Sequence, residues 1–245
     1  MRVCLVLFVA LVIVSCKPGG RGTSSDSERI EEEVVQDGVV KKFDVQHRLV
    51  SEVTYKDGMR HGITRYYYSS GALSDEIMYI NDLKNGIAKK FHKNGKIYSL
   101  TPYFQGKKEG VQKKFYSNGK LWAETPYRKG LPGKGLKEYK RTGELRNNYP
   151  RIEVQKFLRG RKVILHVFLS NHSKNVVFYE TELAGGQFIP QRVQPIFAES
   201  GIARIEIPLD NGKSIETSVS IVAKYRTMDH NIYVTQRTYP VKVNR

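Results

Sequence analysis

Two successive stretches decide how this chain folds: Phe91–Gly110, FHKNGKIYSLTPYFQGKKEG, and Phe115–Gly130, FYSNGKLWAETPYRKG. Laid over one another they agree at a step of 24 residues, and the step extends in both directions. Glycines recur at Gly71, Gly95, Gly119 and Gly143, and tyrosines at Tyr55, Tyr79, Tyr103 and Tyr127. A second aromatic series runs Tyr67, Phe91, Phe115 and Tyr139, and an aliphatic one Leu73, Ile97, Leu121 and Leu145. Self-similarity at a fixed period marks a repeat array, whose units bury their apolar faces only by stacking on neighbours.

Each unit alternates two turn signals with two strand-like runs. Ser70-Gly71, Asn94-Gly95, Asn118-Gly119 and Thr142-Gly143 sit between apolar, aromatic runs. Asn-Gly in that setting predicts a type I′ hairpin turn, which needs positive φ at both central residues. The other turn is longer: Lys56–Gly62, Ile80–Gly86, Phe104–Gly110 and Arg128–Gly135. The expectation is an antiparallel meander of β-hairpins over residues 34–149. Its first copy, with His47 where glycine is expected, reads as a degenerate cap.

Strand alternation then predicts two faces. Ile63, Tyr67, Leu73, Ile77, Tyr79, Ile87, Phe91, Ile97, Tyr103, Val111, Phe115, Leu121 and Tyr127 are expected in the core. The opposite face would carry Tyr66, Tyr68, Lys90, His92, Tyr98, Lys114, Tyr116, Lys120 and Trp122, the candidate binding face. Aromatic and basic side chains interleaved this way suit sugar rings, anionic groups or a protein surface. Cross-strand pairing of the rings, with sheltered lysine stems, would use the same residues structurally.

The pattern of an aromatic, then Asn-Gly-Lys-aliphatic, then Tyr, then Lys-x-Gly resembles the bacterial MORN-variant repeats, often labelled antitoxin-type repeats. The resemblance covers about 100 residues. It implies a β-hairpin array used for protein or membrane contact, without catalysis, and it transfers no catalytic or ligand residue. It also suggests an antitoxin or immunity-type protein that neutralises a specific toxin.

Beyond Tyr149-Pro150 the repeat stops. Ile152–Leu158, Val163–Ser170, Val176–Thr181, Ile202–Leu209, Ile215–Arg226 and Ile232–Val241 read as short strands separated by turn signals. Within residues 150–245 this predicts a β-sandwich-like domain with an immunoglobulin-like strand count, or else a sheet continuing the array. The chain as a whole is therefore expected to be all-β.

At the other end, Val3–Val14 is an apolar run too short to span a bilayer but suited to a signal peptide, residues 1–15. Ile13-Val14-Ser15-Cys16 resembles a lipobox, which makes Cys16 the expected lipidation site. Two or more acyl chains there would anchor the protein stably. Residues 16–33, rich in Gly, Ser and charge, read as a flexible tether. Export to the bacterial cell envelope, with the outer membrane as the expected surface, follows from these readings.

The net charge is +17, and residues 41–149, with 23 basic and 10 acidic side chains, carry +13 of it. A partner would therefore carry negative charge: an envelope protein, or an anionic lipid or polysaccharide. Nucleic acid is the least expected ligand of an exported chain. The two cysteines, Cys4 and Cys16, lie in the first sixteen residues, so no disulfide framework or CxxC metal site is expected. The six histidines show no i, i+4 zinc spacing, and no nucleophile elbow or carboxylate pair suits catalysis. The sequence thus points to a non-catalytic interaction module with no cofactor, metal or small-molecule substrate.

Overall fold

The computed structural model describes residues 36–209 and 214–244. The expected signal peptide, lipidation site Cys16 and tether lie outside the described residues, which are all strand, turn and loop.

The repeats form one antiparallel sheet. Six-residue strands Gly38–Phe43, Gly62–Tyr67, Gly86–Phe91 and Gly110–Phe115 alternate with eight-residue strands Leu49–Lys56, Leu73–Ile80, Ile97–Phe104 and Leu121–Arg128. Short pieces such as Met59–Arg60 and Leu83–Lys84 extend the hairpins at one end.

The two turn types are exchanged relative to the sequence expectation. At the Asn-Gly positions only glycine takes positive φ, Gly71, Gly95 and Gly119 among them, while Asn94 and Asn118 do not. Gly95 N donates to His92 O, and His92 N to Lys96 O, which closes a three-residue loop. That loop is a type I turn followed by one left-handed residue, and it leaves Asn94 Oδ1 to accept from Lys96 N. The type I′ turns sit at the opposite ends, where both central residues have positive φ: Asp57-Gly58, Asn81-Asp82, Gln105-Gly106 and Lys129-Gly130. His47, at φ 58°, holds the glycine position of the first copy, with Asp44 N and Arg48 O bonded as in the others. The first copy thus keeps the turn that its sequence seemed to have lost.

The core prediction for the array is corrected too. Each eight-residue strand carries one extra residue: Val50, Ser74, Tyr98 or Trp122. Phe91 pairs with Ile97 while Lys90 pairs with Ser99, for example, which leaves Tyr98 as a bulge. A bulge reverses the parity of everything beyond it. Ile77 and Tyr79 therefore face inward beside Thr64, whereas Ile63 pairs with Met78 on the outer face. Ile87 and Val111 share that outer face and are exposed. The inner face buries Val53, Ile77, Tyr79, Ala123 and Tyr127 among small polar residues such as Thr64, Ser99, Thr101 and Thr125.

Ladders with the repeat step knit the copies together. Arg60, Lys84 and Lys108 lie over the rings of Tyr79, Tyr103 and Tyr127 at 4.4, 5.3 and 4.4 Å. Burial raises the pKa of those tyrosines and lowers that of Lys108. At the other end Tyr68 Oη donates to Phe91 O, His92 Nε2 meets Phe115 O, and Tyr116 Oη donates to Tyr139 O, at 2.6, 2.9 and 2.7 Å. Each residue of this series ties its own turn to the next copy, and the bonds from Asn94 Nδ2 to Ser117 O and from Lys96 Nζ to Asn118 O add to the tie.

After the array come two further sheets. Ile152–Arg159, Lys162–Leu169, Ile202–Pro208 and Ala198–Glu199 form one; Val176–Glu180, Ile215–Arg226 and Ile232–Val243 form the other. Val163, Leu165, Val167 and Leu169 alternate on one strand and meet Phe178, Ile221 and Ala223 from the opposing sheet. This is a sandwich core rather than a continuation of the array. A smaller cluster, Tyr179, Leu183, Ile189, Val222 and Val234, covers the outer side of the second sheet.

The sandwich is seated against the end of the array. Its turn at residues 227–231 meets the inner face, where Glu138 accepts from Thr227 Oγ1 and Asn231 Nδ2 at 2.7 and 2.6 Å. Asn231 Oδ1 accepts from Lys114 Nζ at 2.7 Å. Tyr149 stacks on Tyr233 with centroids 4.5 Å apart, and the backbones of Gly133 and Phe188 form a β-bridge.

Candidate binding surfaces

The nine side chains of the sequence-derived face do not form one uniform surface. Tyr66, Lys90 and Lys114 lie on the inner face, as their pairing with Asp75, Asp75 and Ala123 requires. Tyr98 and Trp122 are the bulge residues of their strands. Tyr68, His92 and Tyr116 are the inter-repeat ties described above, and Lys120 Nζ reaches Thr142 O at 3.5 Å in the next turn. Lys90 pairs with Asp75 at 3.2 Å.

Five of the nine come together near the array's last copies. His92 packs edge-on against Tyr98 at 5.1 Å, Tyr98 tilts toward Trp122 at 6.2 Å, and Tyr116 stacks on Trp122 at 5.5 Å. Lys114 lies over the Trp122 ring at 5.3 Å, and burial lowers its pKa. The bulge explains the cluster: an extra residue in the strand turns a bulky ring toward the side that already carries Lys114 and Tyr116.

Beside this cluster a shallow cleft of about 620 Å³ opens, lined by His92, Tyr116, Trp122, Lys140, Arg141, Arg146 and Asp229 among others. Arg146 pairs with Asp229 at 3.2 Å, and Arg141 lies over the Tyr116 ring at 5.3 Å. Lys140, Arg141, Arg146 and Asp229 were not singled out from sequence. Three follow the last clear repeat, and Asp229 belongs to a turn of the sandwich, so only the fold places them together.

A second surface was also missed. On the outer face Met59, Ile63, Met78, Ile80, Leu83, Ile87 and Phe104 are all exposed, Ile87 at 55% and Phe104 at 58%. Their pairing, Ile63 with Met78, Ile80 with Leu83 and Ile87 with Pro102, sets them on one side of three adjacent hairpins. Above them on the same face runs a charged row in which Glu76 bridges Arg65 and Lys89 at 3.2 and 3.0 Å, and Lys113 meets Glu124. The signal was present in the sequence as a column of aliphatics at Ile63, Ile87 and Val111, but parity counted without bulges put it inside.

An open sheet of 24-residue hairpins, stapled copy to copy, defines a repeat-based interaction module. Its units at residues 60–81, 84–105 and 108–129 match the MORN repeat variant. No curated protein matches the chain. Among the described residues no three His, Cys, Asp or Glu side chains gather to hold a metal.

Proposed function

We propose that this protein is a non-catalytic, lipid-anchored module of the bacterial envelope that holds a partner protein on the outer face of its repeat array. The observation that carries the reading is the patch of seven large apolar side chains from Met59 to Phe104, exposed on one face of three hairpins. A contiguous exposed apolar surface is unusual on a protein that functions alone. Lysines and arginines on the same face, Lys56, Lys107 and Arg128, flank the patch. The partner that fits is a protein with an apolar centre and an acidic rim, a pairing that adds specificity and steering to the apolar contact. The lipobox-like sequence ending at Cys16 and the polar tether after it support the envelope placement.

The test is in-cell crosslinking from positions 63, 87 and 104, with the double variant Ile87→Glu/Phe104→Glu as control. One stoichiometric partner, crosslinked through those positions, retained at high salt and lost in the variant, is expected. Undiminished capture by the variant would overturn the assignment of this face. Fatty-acid labelling that persists in Cys16→Ser would overturn the anchor.

A further inference from the structure

The cleft beside Trp122 has a chemistry different from that of the apolar patch. Its walls are rings: Tyr116 stacked on Trp122, with His92 and Phe115 alongside. Its rim is cationic: Lys140, Arg141 and Arg146 against the single carboxylate of Asp229 among its lining residues. Lys140 is engaged by Glu144 at 2.7 Å and Arg146 by Asp229 at 3.2 Å. Arg141 forms no ion pair among the described residues and rests on the Tyr116 ring.

Two donors at this place are unsatisfied. Trp122 Nε1 and Arg146 Nε are buried and have no acceptor. Asp229 Oδ2 is also buried without a hydrogen bond, so the pair with Arg146 is close but poorly aligned. Buried donors without acceptors cost about 1–3 kcal/mol each. An incoming group rich in acceptor oxygens would relieve the cost at Arg146 Nε after a small shift of that side chain. Flat aromatic walls favour the C–H face of a sugar ring, and the unpaired guanidinium of Arg141 favours an anion.

We infer that the cleft formed by Tyr116, Trp122, Arg141, Arg146 and Asp229 binds an acidic saccharide, a sugar ring bearing a carboxylate or phosphate. The ring takes the face of Tyr116 that Arg141 now covers, with Trp122 stacked behind, and the displaced Arg141 joins Arg146 on the acid group. A free acidic sugar and one unit of an acidic polymer present the same recognised chemistry. The inference is independent of the outer-face partner, because the two surfaces share no residue.

Trp122 is the only tryptophan of the chain, so its fluorescence reports this cleft directly. The full chain in detergent would be titrated with glucuronate, glucose 6-phosphate, glucose and inorganic phosphate. A saturable change in Trp122 emission is expected with the two acidic sugars, with glucose and phosphate at least roughly tenfold weaker. Arg141→Ala, at an exposed position, should weaken the acidic sugars by roughly tenfold. Acidic oligosaccharides that bind more tightly than the monomer identify a polymer as the source, and equal affinity identifies the free sugar. No saturable response, glucose binding as well as glucuronate, or full affinity in Arg141→Ala would each overturn the inference. The Ile87→Glu/Phe104→Glu variant should bind these sugars normally, so failure of the partner reading would leave this result untouched.

Discussion

Replacing Asn231 by alanine tests how the sandwich is held to the array. Asn231 is 2% exposed and Glu138 3%, and the side-chain amide stands between that carboxylate and the Lys114 ammonium. In Asn231→Ala, Glu138 keeps only Thr227 Oγ1 as a side-chain donor, and Lys114 loses its acceptor. A hydrogen bond to a charged group contributes about 1.5–3 kcal/mol, and orphaning a buried partner adds its desolvation. Two such bonds are lost. Lys114 retains some solvent, which discounts its share, so the expected loss is about 3–4 kcal/mol. Urea unfolding followed by the seam's own reporter, Trp122 fluorescence, measures it. Lys114→Met should recover part of the loss in the Asn231→Ala background, because it removes the stranded ammonium. A loss below about 1 kcal/mol would refute the view that this buried polar network fixes the seam.

Other perturbations address the array and the sandwich separately. Tyr116→Phe removes the bond to Tyr139 O and should cost about 1 kcal/mol, read as faster amide exchange at the turns it joins. Glu76 is held below its usual pKa, first by the Lys89 hydrogen bond, and Glu52 likewise by Tyr67. The unfolded chain then binds more protons in this range, so their stabilisation is present above the ordinary carboxylate pKa and is lost as pH falls through the folded values. Urea midpoints should drop on acidification below the ordinary glutamate pKa of 4.5, and Glu76→Gln should flatten that slope. Gly201 has φ 83°, and a Cβ there would stand 2.5 Å from Ser173 O; Gly201→Ala should cost about 2–4 kcal/mol in the same unfolding assay.

The sequence carried the architecture well, for reasons that can be named. The step between Gly95 and Gly119 located the hairpins, and the strand expected at Ile215–Arg226 is the strand observed. The face assignment failed for Ile63, Ile87 and Val111, because the bulges at Ser74, Tyr98 and Trp122 leave no compositional mark; a bulge is a register event between two strands. The turn types failed for a related reason. Asn-Gly fits both a type I′ turn and a type I turn followed by left-handed glycine, and loop length between paired residues decides which forms. At Asn81-Asp82 the type I′ turn forms without glycine, since Asn and Asp tolerate positive φ, and Asp82 is further held by Arg60 at 2.7 Å. The aromatic cluster was legible as a set of residue types. The cleft was not, because Arg141, Arg146 and Asp229 converge only once the sandwich is seated.

The two surfaces follow from one feature of the repeat. A regular strand would send Trp122 to the face opposite Lys114 and Ala123, and the aliphatic column would lie beneath the sheet. The extra residue reverses both at once: it brings the ring to the inner side, beside Tyr116, and leaves Ile63, Ile87 and Val111 outside. Deleting Trp122 outright, rather than substituting it, therefore makes a distinctive test. Either the strand from Ala123 onward flips and exposes Thr125 and Tyr127, or Leu121 takes the bulge and the register holds. Tyr127 is buried beneath Lys108 and Thr125 lies at 3% exposure, so flipping would sacrifice a buried row. The register should hold, with the fold kept and the cleft lost. Collapse of the fold on deletion would mean that the bulge is a structural necessity of the copy rather than a place where the array builds its site.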